Sequence, residues 1–336
     1  MWDEKKIRII DIAEELGVST ATVSNVLHGK TKRVSKATIE KVQRKLEERG
    51  YIPNMAATLL AQNDSKIIGV VVNDHSKYEG HLFEDPFIAS AINNLSDEIE
   101  NAGFFMMLKK AHAIQEIVRF ASMWNLDGMV IVGFCEDEYQ QLRDSIRIPF
   151  VVYDGFFENK GRICNLTIDD FDGGRQVGEY LRGLQHKKVL CIADNNICMD
   201  EQRYLGLCNG LGFKADFMLI PQDNKGRHSL YENKLSYIRE YTAIFAVSDF
   251  YAMEIMIFLN NKGVAIPDDI SVIGFDGTAL CHQVSPTLTS IAQDSSYRAK
   301  MALKLIDKMK KEMDYKEDAV VPVRLMIGES TGVARR

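Results

Sequence analysis

Hydrophobic positions follow two regimes along the 336-residue chain. In the first fifty residues they recur at helical spacing. Ile9, Ile12, Ala13 and Leu16 mark a short amphipathic helix. Gly17 supplies the tight turn that follows, where a side chain would clash. Ser19 then caps a second helix running to about Leu27. On it Val23, Val26 and Leu27 point inward, whereas Thr20, Ala21, Thr22, Ser24 and Asn25 are small or polar and point out. A third helix, from Ser35 to Arg49, closes a small core with Ile39, Val42 and Leu46. Next comes "YIPNMAATLLA", a short apolar helix after a proline and an Asn cap, where a linker would ordinarily be polar.

From residue 66 the pattern changes. "KIIGVVV", "GFFMMLKK", "DGMVIVG" and "IPFVVYD" read as strands, with helices Pro86–Asn101 and Ile114–Trp124 among them. A second series begins near residue 187 with "KKVLCIAD", a helix near Glu201–Gly210, and "ADFMLIP". It continues through a helix near Leu230–Arg239, "TAIFAVSD", a helix Phe250–Lys262 and "DISVIGFD". Strands that are apolar throughout belong to parallel sheets covered on both faces. Two such series predict two doubly wound subdomains. Ligands of such sheets bind beyond the carboxyl ends of the strands. The cleft between the subdomains is therefore the default small-molecule site.

Charge changes the picture more than composition does. The chain is 46% hydrophobic, ample for real cores, and its net charge of −6 does not suggest a nucleic-acid binder. The distribution does: residues 1–62 carry 11 Lys/Arg against 8 Asp/Glu, while the whole chain carries 41 against 47. A basic head on an acidic body suits docking to phosphates by one end. Lys30, Lys32, Arg33 and Lys36 look like clamps on a phosphate backbone; a solvated basic loop is the plainer alternative.

Several function classes lose support. The six cysteines (Cys135, Cys164, Cys191, Cys198, Cys208 and Cys281) have no metal-type spacing and read as reduced core thiols of a cytoplasmic protein. No signal-peptide core opens the chain and no run approaches the length of a membrane span. No nucleophile–base pair, phosphate loop or zinc motif is present, so no catalytic residue, metal ligand or cofactor is expected.

The stretches "DIAEELGVSTATVSNVLHG", "VSKATIEKVQRKLEERGYIPN" and "NMAATLLA" resemble the DNA-binding headpiece of the LacI/GalR family of bacterial transcription regulators. The similarity continues through "IIGVVV", "DPFIASAI", "NLDGMVIVG", "DDFDGGRQVGEYL", "VSDFYAMEIM", "GVAIPDDISVIGFDG" and "PTLTSIAQD", covering about Arg8 to Gly332. It implies an all-α helix-turn-helix headpiece (1–53), a hinge helix and linker (54–65), and an α/β periplasmic-binding-protein-like core (66–336). The core would hold two interleaved doubly wound parallel-sheet subdomains, about 66–160 and 161–290, with crossovers near 155–165, 290 and 320.

The resemblance also implies roles. Leu60 would wedge into the central minor groove of the operator, with Asn54 capping the hinge helix and Ala57 packing on the partner's hinge helix. Ser19, Thr20, Ala21, Thr22, Ser24, Asn25, His28, Lys32 and Arg33 are the other expected DNA contacts. In the cleft, Arg203 and Asp276 occupy the positions that most often hydrogen-bond the effector. Asp85, Phe87, Asp154, Asp169, Ser248 and Gln293 are further candidates. Carboxylates accept bonds from sugar hydroxyls and an arginine fork donates in fixed geometry. A turn or cap role for Asp276, and a salt bridge closing one subdomain for Arg203, stay open.

There are departures from the family pattern. Asn224 stands where an aromatic residue often follows the aspartate, Gly155 replaces a frequently basic neighbour of Asp154, and "NDHSKYEGHLFEDPF" is longer than usual. Asn25 stands where many members have Arg, and "GKTKRVS" is one residue longer than common. The expectation is a cytoplasmic, homodimeric regulator, a repressor on double-stranded pseudo-palindromic operator DNA. A sugar or sugar-like metabolite would tune it. The chain ends in "STGVARR" without a heptad tail, which favours a dimer over a tetramer. The alternatives are a core that senses a protein corepressor or nothing and, more remotely, a sugar-binding receptor or enzyme on the same core fold.

Overall fold

The computed structural model describes residues 7–51, 65–133, 136–155, 163–312 and 315–335. The chain divides into two compact units, Met1–Asp64 and Ser65–Arg336. The expected hinge contacts Asn54, Ala57 and Leu60 lie outside the described residues, as does Cys135.

Among the described residues the first unit is a head of three helices: α1 (Ile9–Leu16), α2 (Thr20–Leu27) and α3 (Lys36–Glu48). Gly17 ends α1 in the left-handed region, φ +64°, where glycine pays no steric cost. Ser19 accepts the Thr22 N–H at 3.1 Å and Ser35 accepts the Thr38 N–H at 3.2 Å, so both following helices start on a hydroxyl cap. Ile12, Ala13, Val23, Val26 and Val42 form the core, with Leu16, Ile39 and Leu46 packed around it. Leu27, expected inside, is only half-buried. Arg49 reaches back from the end of α3 to pair with Glu15 of α1.

The second unit holds two six-stranded sheets. The first has the order β11-β5-β4-β3-β1-β2. Its strands are β1 (Ile67–Asn73), β2 (Phe105–Ala111), β3 (Gly128–Val132), β4 (Phe150–Tyr153), β5 (Cys164–Ile168) and β11 (Asp318–Val321), all paired in parallel. The second has the order β12-β10-β9-β8-β6-β7. It contains β6 (Val189–Ala193), β7 (Asp216–Leu219), β8 (Ala243–Ala246), β9 (Ser271–Asp276), β10 (Thr289–Ala292) and β12 (Arg324–Met326). Its β10–β12 pair is antiparallel; the other pairs are parallel. β3, β4, β6 and β8 are buried at every position, which is why they read as unbroken apolar runs.

Helices α4 (Pro86–Asn101), α5 (Ile114–Trp124), α6 (Glu136–Ser145) and α11 (Ser295–Lys311) accompany the first sheet. Helices α7 (Asp170–Gly183), α8 (Cys198–Leu211), α9 (Asn224–Ile238) and α10 (Asp249–Asn261) accompany the second. α9 starts six residues before the expected Leu230, because Asp223 caps it by accepting the Gly226 N–H at 2.7 Å and Arg227 is buried against Glu254. α7 and α8 touch backbone to backbone. A Cβ on Gly174 would lie 2.0 Å from the Arg203 carbonyl oxygen, and one on Gly206 2.0 Å from that of Phe171.

Among the described residues the chain passes between the sheets three times: between β5 and α7, between β10 and α11, and between β11 and β12. The first passage corrects the expected crossover at 155–165. Cys164–Ile168 pairs with β4 and β11 and so belongs to the first sheet, which moves the passage to Asp169.

Candidate functional site

On α2, Thr20, Ala21 and Asn25 are exposed, while Thr22, Ser24 and His28 are half-buried. The Ser19 and Thr22 hydroxyls bond each other at 2.8 Å, so this helix start is already organised. The His28 N–H returns to the Ser24 carbonyl at 3.0 Å. Beyond it Lys30, Lys32, Arg33 and Lys36 are all exposed. An open face of short side chains flanked by cations suits a helix laid in a major groove with its neighbours on phosphates.

In the core, polar groups collect at the carboxyl ends of the strands. Asp276 closes β9 with φ +116° and Asp154 follows β4 with φ +55°. Backbone angles of this kind are costly outside glycine and concentrate at functional sites. Arg203, on α8, donates through Nε to Asp170 Oδ1 at 2.7 Å and through Nη1 to the Val247 carbonyl at 2.6 Å. Its guanidinium lies 3.8 Å above the Phe275 ring. Asp200 and Asp276 stand 3.9 and 4.0 Å from Nη1.

Gln293 Nε2 donates to Asp276 Oδ1 at 2.8 Å. Its Oε1 accepts from Arg298 Nη1 at 2.7 Å, and Arg298 Nη2 donates to Asp154 Oδ1 at 2.6 Å. Asp154, Arg203, Asp276 and Gln293 therefore meet in one network. Three other expected residues spend an oxygen on helix starts: Asp85 accepts the Ile88 N–H (3.0 Å), Asp169 that of Asp172 (2.8 Å) and Ser248 that of Tyr251 (3.3 Å). Phe87 is half-buried against the core. The carboxylate that meets Arg203 is Asp170, the neighbour of Asp169.

Ser76 donates to Gln222 at 3.4 Å and the Asn224 N–H donates to Glu79 at 3.1 Å, so the long segment after β1 reaches the other subdomain. Asp249, next to Ser248, turns inward. It accepts from the Thr278 N–H, from the Thr278 and Ser290 hydroxyls and from the Cys281 thiol.

Carboxylates outnumber cations here, and burial shows it. Burial pushes Asp276 well above the ordinary carboxylate range; Arg203 pulls it down, while Asp249 and Asp85 push it further up. Asp170 is pushed up to about 6 by burial, against the pull of Arg203. Burial raises Asp85 and Asp200 as well. It also opposes the Lys77 ammonium, but Tyr78 and the carboxylates of Asp194, Asp200 and Asp85 more than offset it and hold that group above the usual lysine value. Sequence reasoning missed Asp170, Lys77 and Arg298.

An exposed recognition helix, and a two-sheet core with its polar groups gathered at the strand ends, define a regulator that reads DNA with one unit and carries a ligand-binding type of fold in the other. Residues 8–54 match the model for bacterial regulatory proteins of the lacI family, and residues 179–331 match the periplasmic binding protein-like domain. The HTH-type transcriptional regulator CelR of Thermobifida fusca is 26% identical over 337 residues, covering 95% of this chain and 96% of that protein. The HTH-type transcriptional repressor PurR of Vibrio atlanticus (strain LGP32) is 28% identical over 324 residues, covering 92% and 93%.

Among solved structures, a lac repressor dimer bound to operator and the anti-inducer ONPF superposes with a TM-score of 0.84 at 21% identity, covering 98% of this chain and 100% of that one. A complex of CelR with cellobiose gives a TM-score of 0.69 at 23% identity, covering 96% and 99%. The head is a DNA-binding domain of the lacI family of bacterial regulatory proteins, and the chain is a DNA-binding transcriptional regulator. Among the described residues no helix is long and apolar enough to cross a membrane.

Proposed function

We propose that the protein is a cytoplasmic repressor that works as a homodimer on a pseudo-palindromic operator and answers to a small polar, sugar-like metabolite held between the core subdomains. The observation that carries this reading is the buried Arg203–Asp276 pair, lying beside Asp170 and Gln293 where the strands of the second sheet end. Buried forks and carboxylates of this kind match hydroxyl-rich ligands. The cellobiose complex of CelR supports the ligand class.

Thr20, Ala21 and Asn25 would meet base edges, and Ser19, Thr22, Ser24, His28, Lys32 and Arg33 the backbone. Asn54, Ala57 and Leu60 would complete the contact at the operator centre. Two apolar sheet edges support a dimer: Phe105 and Leu108 on β2, flanked by Met123 and Trp124 of α5, and Leu219 on β7 are all exposed. No catalytic role is proposed for any residue. A ligand shifts the core only through its differential affinity for two conformations. That conformational preference would be passed to the hinge.

The test begins with a thermal-shift screen of the full chain against sugars, phosphosugars and nucleosides. Operator affinity is then measured with and without a hit, for the parent and for Asp276→Ala. Truncating one member of a buried charge pair costs about 2–5 kcal/mol of ligand binding. The variant should keep its ligand-free operator affinity and lose its response. A variant that responds like the parent would remove the cleft from the mechanism. The cleft's polar groups satisfy one another closely, Arg203 on Asp170 and Arg298 on Asp154. That favours, as a second reading, a core that answers to a protein partner, and a screen without any hit would support it.

A further inference from the structure

Arg298 is the conspicuous unused group of the core. It sits in the first turn of α11, on the first subdomain, and only 2% of it is exposed. An isolated buried guanidinium is expensive, so each of its bonds needs a reason. It donates to Asp154 and Gln293, as above, and to the Leu166 carbonyl at 3.1 Å, and it lies 4.7 Å over the Tyr153 ring. Three of these partners, Asp154, Leu166 and Tyr153, lie in or at the ends of β4 and β5 of the first sheet. The fourth, Gln293, lies on the passage from β10 to α11. The Gln293 N–H also faces the Asp276 carbonyl at 3.3 Å.

A glutamine amide has a donor end and an acceptor end. Arg298 can only donate, so Gln293 must turn Oε1 toward it and therefore point its NH₂ at Asp276. The carboxylate's Oδ1 is then occupied and its other oxygen keeps a fixed direction.

We propose that Arg298 is a positioning residue for the effector cleft: acting through Gln293 it orients Asp276, and it couples that carboxylate to the strand ends of the opposite subdomain across the β10–α11 passage. Its functional weight rests on Asp276 being an effector contact; the test needs no ligand, so failure of the relay and failure of the effector reading are separable.

The readout is the carboxyl titration of Asp276, followed by ¹³C NMR in the full chain labelled at aspartate Cγ and assigned with Asp276→Asn. The charges facing Asp276 are Arg203, Asp249 and Asp85, and the variants leave all three in place. The double substitution Arg298→Met/Asp154→Asn removes a whole ion pair, so the net charge near Asp276 hardly changes and no unpaired ion is left buried. Gln293→Leu cuts the relay in the middle and keeps the ion pair.

A donor to the ionised form lowers an acid's pKa, so either change should move the Asp276 midpoint upward, by roughly half a pH unit or more. Combining all three substitutions should move it no further than Gln293→Leu alone, because both changes break one chain. The Gln293 side-chain NH₂ signals should lose their parent positions in the double variant. An Asp276 midpoint that stays put in folded Gln293→Leu overturns the proposal. So does a shift in the triple variant equal to the sum of the separate ones. If the double variant fails to fold, Gln293→Leu still decides whether Asp276 is held from that side, and Arg298→Lys then tests the fork. Lysine cannot serve three acceptors in fixed directions, so the midpoint should again rise, and an unmoved midpoint there overturns the assignment of Arg298.

Discussion

Replacing Gly206 with alanine adds one methyl group at the contact that holds Arg203 in place. The new Cβ would lie 2.0 Å from the Phe171 carbonyl oxygen, 2.8 Å from the Arg175 nitrogen and 3.0 Å from the Phe171 carbonyl carbon. All three are backbone atoms of α7 and cannot rotate aside, so the helices must part. Overpacking of this sort costs about 1–3 kcal/mol, and a rigid obstacle places this case at the upper end. Alanine returns about 1 kcal/mol of helix propensity over glycine. The net loss is about 2 kcal/mol, which in a domain of this size lowers Tm by roughly 4–6 °C. Gly183, on α7, is the internal control, since nothing lies within 4 Å of a Cβ there. Gly183→Ala should be neutral or slightly stabilising. Calorimetry of both variants at one pH decides the matter. A Gly206→Ala protein that melts with or above Gly183→Ala would refute the claim that α7 and α8 meet at van der Waals limit.

Two other outcomes are expected. Asn25→Arg should move base preference toward guanine at one pair per half-site, because arginine binds guanine bidentately for about 1–3 kcal/mol; selection from random DNA that returns one consensus for both proteins would show that Asn25 touches no base. Asp170 holds its proton up to about pH 6 in the folded core, above its value in the unfolded chain. Its protonation therefore favours the fold below about pH 4, and that contribution is lost as pH rises through about 6. Relative to Asp170→Asn, the parent should lose up to about 3 kcal/mol between those limits in urea denaturation, and a difference that stays flat with pH would contradict it.

Most strands of the core were legible because both their faces are covered, so burial leaves a run of apolar residues. α4 was legible to the residue: Pro86 opens it after an aspartate cap and the apolar positions keep period. β5 escaped because "CNLTI" is short and carries Asn165, whose side chain is spent on the Gly155 backbone. The early start of α9 escaped because "NKGRHS" has no apolar face; Arg227 is buried there on the strength of Glu254, 27 positions away.

The cleft was half legible for a related reason. Strand ends mark Asp154 and Asp276. Which of two adjacent aspartates faces Arg203 depends on where a helix begins: Asp169 caps it and Asp170 opens it, so the pairing of Asp170 has no local sequence mark. Nothing local marks Arg298 as buried, since its ion-pair partner lies 144 residues earlier in the chain.

The last two strands have a consequence for how the protein is made. β11 extends the first sheet and β12 the second, and both lie within residues 318–326. Neither half of the core is complete until residues 318–326 have left the ribosome, whereas the buried core of the head is drawn from Ile12, Ala13, Val23, Val26 and Val42. During synthesis the head residues that read DNA therefore emerge before the core can be completed. If the protein acts as the dimer proposed above, a single head would hold DNA only weakly, lacking the gain from two linked contacts. On that reading tight binding would wait for the core, and a half-made chain would not yet compete for an operator.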